Sequence, residues 1–107
     1  MGYCTTFNLK CKNASEQERK DIRAFIELRE GEYYGIDSRG RSTGEAKWYD
    51  HEDHMRILSK EYPEVLFELS GEGEESGDIW IKYYLGGKQQ TCRAKMVFEE
   101  FDPEKLK

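Results

Sequence analysis

A chain of 107 residues is long enough for one hydrophobic core and too short for two, so a single domain is expected. Hydrophobic and charged residues each make up 36% of it, which limits the core to one sheet covered by helices on one side, with aromatic rings supplying much of the buried area. The net charge of -5 argues against generic binding to DNA phosphates or anionic membranes and leaves only local basic patches for such ligands.

Residues 3–12 alternate Tyr3, Thr5, Phe7, Leu9 and Cys11 against Cys4, Thr6, Asn8, Lys10 and Lys12, the period of a half-buried strand. Ser15 with Glu18 three residues later forms a capping-box pattern ahead of Ile22, Phe25 and Ile26 at helical spacing, so a first helix is expected to run to about Arg29. Gly31 can end it in the left-handed conformation, and Tyr33, Tyr34 and Ile36 favour a second strand. Residues 37–44 are polar and glycine-containing, the composition of a mobile hairpin loop, here carrying Arg39 and Arg41, and residues 45–49 follow as a short third strand. Asp50 is placed to cap a second helix with Glu52 and Asp53 in its first turn. That helix carries Met55, Leu58 and Tyr62 on one face and must stop before Pro63.

Val65, Phe67 and Leu69 alternate with Leu66, Glu68 and Ser70 in a fourth strand, and residues 71–77 hold too many glycines and like charges to be anything but loop. The fifth strand sets Ile79, Ile81, Tyr83 and Leu85 against Trp80, Lys82 and Tyr84, and Gly86-Gly87 turns into a sixth, with Cys92, Ala94, Met96 and Phe98 opposite Thr91, Arg93, Lys95 and Val97. The tail at 99–107 is charged, contains Pro103 and offers Phe101 for docking. The order strand, helix, strand, strand, helix, strand predicts an α+β domain of the ferredoxin-like, split βαβ kind (βαββαβ), extended by an antiparallel hairpin, with both helices on one face. Phe7, Leu9, Ile22, Phe25, Ile26, Leu58, Phe67, Ile81 and Met96 are the expected core. The other face would display Asn8, Lys10, Trp80, Lys82, Tyr84, Arg93 and Lys95.

Cys4 and Cys11 lie on opposite faces of the first strand, which speaks against a disulfide between them. With no apolar run long enough to span a bilayer and no basic-then-apolar leader, the expected setting is reducing, cytoplasmic and without membrane contact. No nucleophile elbow, phosphate loop, zinc spacing or dinucleotide fingerprint occurs, so neither an enzyme nor a cofactor is expected. His51 and His54 are three apart on one helix and offer a weak metal site, although both flank the apolar stripe. Glu68, Glu72, Glu74, Glu75 and Asp78 could wrap calcium, but their spacing is not that of an EF-hand and a solvated acidic hairpin tip is the simpler reading. Trp80 and Tyr84, interleaved with Lys82 and neighboured by Lys10, Arg93 and Lys95, have the ingredients of a base-stacking platform for single-stranded nucleic acid, or of a protein contact, as monomer or homodimer.

The run KWYDHEDHMRILSKEYPEVLFELSGEGEESGDIW, followed by KYYLGGK and FEEFDPEKL, resembles small proteins encoded by phages and other mobile elements of bacteria, grouped with YubB-type ferredoxin-like domains. The resemblance covers roughly the C-terminal two-thirds and is one of whole segments, with no catalytic motif to carry over. It implies the ferredoxin-like fold and a phage setting, and among such proteins inhibitors of host defence, including anti-CRISPR proteins, form one class. From 61 to 78 there are acids and no base. On that resemblance, Glu68, Glu72, Glu74, Glu75 and Asp78, with Trp80 or Tyr84 as buried anchor, would meet the basic groove of a host defence protein such as a CRISPR effector nuclease.

Overall fold

The computed structural model describes residues 3–29, 31–95 and 98–107. They form an antiparallel sheet of four strands, β1 (Thr5–Lys12), β2 (Leu66–Gly73), β3 (Ile79–Leu85) and β4 (Lys88–Arg93), in the spatial order β1-β2-β3-β4. Two helices, α1 (Glu16–Glu27) and α2 (His51–Glu61), separate β1 from β2 in the chain. Among the described residues no helix is long and apolar enough to cross a membrane.

Helix α1 begins where the capping box places it: Ser15 Oγ accepts from Glu18 N at 3.1 Å, and Ser15 N donates to Glu18 Oε1 at 3.0 Å. Helix α2 ends ahead of Pro63, as the restriction on the residue before a proline requires. Its first turn departs from expectation, because the Asp50 carboxylate makes no capping hydrogen bond. Its last turn is tied to the β3–β4 turn: buried Ser59 Oγ accepts from Gly87 N at 2.9 Å, and Arg56 Nη1 donates to Gly87 O at 3.2 Å.

The second and third strands expected at 33–36 and 45–49 do not form. Only two isolated antiparallel bridges remain there, Ile36 with Ser42 and Thr5 with Ala46. Local side-chain bonds satisfy this backbone instead of a ladder. The Asp37 carboxylate accepts from both Arg39 N and Arg41 N, Thr43 Oγ1 donates to Tyr34 O, and Tyr34 Oη donates to Lys47 O. Gly35 lies against Phe7 and Trp48, where a Cβ would come within 2.7 Å of both rings. The segment runs along the outer edge of β1, to which it is joined by Leu9 N donating to Gly40 O at 2.7 Å and by the Thr5–Ala46 pair. The interleaved ferredoxin-like strand order is therefore not what the four-stranded sheet itself displays.

One face of the sheet builds the core. Phe7 and Leu9 of β1, Phe67 and Leu69 of β2, and Trp80 and Tyr84 of β3 form one buried cluster with Ile22 and Ile26 of α1, Met55 and Leu58 of α2, and Tyr33, Ile36, Trp48 and Val65 from the connections. Phe25 is only partly buried against this cluster, and Met96 lies outside the described residues, as does Val97. Here β3 overturns the expected parity. Register pairs Phe67 with Tyr84, Leu69 with Lys82 and Gly71 with Trp80, so the Trp80, Lys82, Tyr84 row faces the helices while Ile79, Ile81, Tyr83 and Leu85 face away. Gly71 makes the inversion possible: the indole of Trp80 occupies the space that a Cβ there would need. The arrangement buries an indole and a phenol and leaves Ile79 and Leu85 47% and 48% exposed. The core position expected for Ile81 is thereby taken by its neighbours.

Candidate partner-binding surface

The acidic hairpin between β2 and β3 is held from outside itself. Its own backbone closes with Gly73 N donating to Asp78 O at 2.8 Å and Asp78 N to Glu75 O at 3.1 Å, and Gly77 supplies the left-handed residue, at φ +84°, that the turn requires. Tyr3, ahead of β1, then lies across the hairpin at Gly73, where a side chain would collide with it. Its hydroxyl donates to Asp78 Oδ2 at 2.6 Å and accepts from Glu75 N at 2.9 Å, while Cys4 N donates to Glu74 Oε1 at 2.9 Å. The bond to the Asp78 carboxylate raises the phenol above its ordinary pKa.

Glu72, Glu74 and Glu75 are exposed on this fixed tip, and Asp78 is half-buried beneath them. Glu45 and Asp50 are also exposed in the connection that carries Trp48, and Tyr49 there is 59% exposed with its hydroxyl accepting from Tyr3 N at 2.8 Å. Glu68 does not join them. It points to the open face of the sheet, opposite Lys10 and Tyr83, and lies 3.9 Å from Lys12 Nζ. The tip thus carries three exposed carboxylates, Glu72 on the open-face parity of β2 and Glu74 and Glu75 in the turn, on a backbone tied to Tyr3.

Trp80 and Tyr84 are not available as surface anchors. They are 7% and 0% exposed, because the β3 register turns them into the core. The base-stacking platform is lost with them. Lys82 is buried between the same two residues, Lys10 lies on the opposite face, Lys95 is exposed beyond β4, and Arg93 lies at the β4 edge 4.0 Å from Asp78. The open face carries Ile79, Ile81, Tyr83 and Leu85 in place of the expected aromatic and basic set.

Beside the hairpin, a cleft of ≈ 250 Å³ opens between Tyr3 and the first turn of α2. At its floor the Trp48 carbonyl can only accept, so His51 carries its proton on Nδ1 and donates it there at 2.8 Å, leaving Nε2 to accept from Lys82 Nζ at 2.8 Å. Lys82 Nζ also lies 3.3 Å from Glu52 Oε2 and 4.3 Å from the centre of the Trp80 ring, on which the His51 ring stacks. Gln89 Nε2 donates to the same Glu52 oxygen at 2.6 Å. His54 Nδ1 accepts from Trp48 Nε1 at 2.9 Å.

These bonds leave His51 and His54 poorly disposed to share a metal ion. The Nε2 of His51 is engaged by an ammonium group that would repel a cation, and the Nδ1 of His54 is engaged by an indole. Among the described residues no group of three or more His, Cys, Asp or Glu is placed to hold a metal ion. The polar cluster was not foreseen as a unit; its one signal in the sequence is a lysine in a row otherwise made of Trp80 and Tyr84.

Burial, with the Lys82 charge adding to it, lowers the pKa of His51 below the ordinary imidazole value. The unfolded chain therefore binds this proton more readily than the folded one. Stability is expected to be held above pH ~6.5 and to fall as the pH drops from there through the depressed folded value. Urea melts from neutral to mildly acidic pH measure this, and His51→Asn should flatten the dependence in that window; an unchanged slope would place the titration elsewhere.

No family model, curated protein or solved structure matches this chain.

Proposed function

We propose that the protein is a stoichiometric, protein-binding inhibitor whose acidic β2–β3 tip occupies a basic groove on a nucleic-acid-binding partner. The observation that carries this reading is the Tyr3 clamp: Glu72, Glu74 and Glu75 are exposed on a hairpin held by bonds from Tyr3 and Cys4. Exposed carboxylates on a preorganised backbone suit pairing with arginine and lysine, since little ordering entropy remains to be lost on contact. Their exposure to water suits them less to proton transfer, which favours binding over catalysis. Tyr49 takes the anchor role that Trp80 and Tyr84 cannot fill, being 59% exposed and tied to the same Tyr3.

The resemblance read in roughly the C-terminal two-thirds of the sequence is what suggests host defence as the setting, a CRISPR effector nuclease as the target class and the bacterial cytoplasm as the place of action. It also supports reading the bridges at Thr5–Ala46 and Ile36–Ser42 as the reduced edge of a ferredoxin-like sheet. In a cleavage assay over a panel of effector nucleases, inhibition is expected to saturate near one equivalent and to weaken about tenfold between roughly 0.05 and 0.3 M salt. Inactivation at far below one equivalent would indicate an enzyme instead.

A further inference from the structure

On the far edge of the sheet from β4, a groove of ≈ 370 Å³ lies between the outer edge of β1, helix α1 and the turn at 38–40. Its floor is aliphatic, with Leu9, Ile22 and Ile26, and around it are Arg19, Arg23 and Arg39, with no acid in its lining; Lys10 and Lys12 border it from β1, on the parity that faces the open side of the sheet. This is a concentration of positive charge in a chain whose net charge is -5. Among the described residues Arg19, Arg23 and Arg39 form no ion pair, and the one bond from an arginine side chain into the groove's wall is Arg19 Nη2 donating to Cys11 O at 3.0 Å.

The chemistry complementary to this groove lies in the same chain. In residues 98–107, Phe98, Phe101 and Leu106 are 83%, 76% and 69% exposed, interleaved with Glu99, Glu100, Asp102 and Glu104. Among the described residues the hydrogen bonds and ion pairs of this segment are internal: Lys105 Nζ meets Glu99 at 3.1 Å and Asp102 caps the short turn Pro103–Lys105. Phe101, expected to dock on its own domain, does not. The segment follows β4 in the chain, the edge strand opposite β1.

We propose that the groove of one copy receives residues 98–107 of a second copy, with Phe98 and Phe101 over Leu9, Ile22 and Ile26 and the flanking carboxylates on Arg19, Arg23 and Arg39. Aromatic side chains flanked in sequence by carboxylates match a basic rim around an apolar floor, and guanidinium groups also favour ring faces. The acidic β2–β3 tip is the other candidate occupant, but residues 72–77 offer no large apolar side chain to fill the floor. Because tail and groove are different surfaces, the contact is head-to-tail: each copy keeps a free tail or a free groove, and longer assemblies or rings follow with concentration.

Sedimentation equilibrium of the full chain to about 1 mM tests this. The average mass is expected to rise above that of the monomer with concentration. A Phe98→Ser, Phe101→Ser variant and an Arg23→Glu, Arg39→Glu variant, all at exposed positions, should each remain monomeric. An equimolar mixture of the two restores one intact tail and one intact groove, and should give dimers of twice the monomer mass and nothing larger. A parent that stays monomeric throughout overturns the proposal, as does association by either variant alone or a mixture that stays monomeric. Loss of association in a Glu72→Lys, Glu74→Lys, Glu75→Lys chain would make the hairpin the occupant and overturn it equally.

Discussion

Replacing Trp80 by alanine is expected to remove about 3 to 5 kcal/mol of stability, a large share of what a domain of this size has. The indole is 7% exposed, lies over Gly71, meets Phe7 edge-on at 5.9 Å and stacks on His51 at 5.3 Å, so truncation empties a volume that neither the glycine opposite nor the polar cluster can fill. Leu85→Ala, on the other face of the same strand and 48% exposed, should cost about 1 kcal/mol or less. Urea denaturation of the two variants reads the parity of β3 directly. The opposite ranking would turn the aliphatic row inward and the aromatic row to solvent.

That parity is also where the sequence is least informative. Both faces of β3 carry large apolar residues, Ile79, Ile81 and Leu85 on one and Trp80 and Tyr84 on the other, so period-two alternation alone cannot choose between them. The choice is made by β2, whose Phe67 and Leu69 are fully buried, and by Gly71 across from Trp80. Residues 33–49 are obscure for a different reason. Tyr33, Ile36 and Trp48 have the composition of strands and are buried as strand residues would be, yet Asp37, Thr43 and Tyr34 satisfy the intervening backbone locally.

Signals confined to a few neighbouring residues were legible: the Ser15–Glu18 box, the stop before Pro63 and the alternation at Phe7 and Leu9; the loop expected at 71–77 is shorter, because residues 71–73 pair with β1 as the end of β2. The same holds for the candidate surface. Glu72, Glu74 and Glu75 stand out as a charge run, whereas the clamp on them comes from Tyr3, some seventy positions away (72 between Tyr3 and Glu75), and no local pattern announces it.

The largest functional effect is expected from changing Glu72, Glu74 and Glu75 together to lysine. All three side chains are exposed, so the core should survive the change. Glu74 Oε1 also accepts from Cys4 N, so a Glu72→Lys, Glu75→Lys chain that keeps this bond is measured beside it and should lose affinity in the same direction. Asp78 is left in place because it holds Tyr3. Each carboxylate that pairs with a guanidinium in a water-excluding groove contributes through a charge-assisted bond, and reversal replaces that attraction by repulsion. Affinity for a basic groove should fall by at least about 100-fold, while melting behaviour stays close to that of the parent. The direct measurement is displacement of a fluorescent oligonucleotide from an effector nuclease that the parent inhibits. The parent should release the oligonucleotide near one equivalent and the charge-reversed chain should leave it bound; release by both at the same concentration would contradict an acidic hairpin acting in place of nucleic acid.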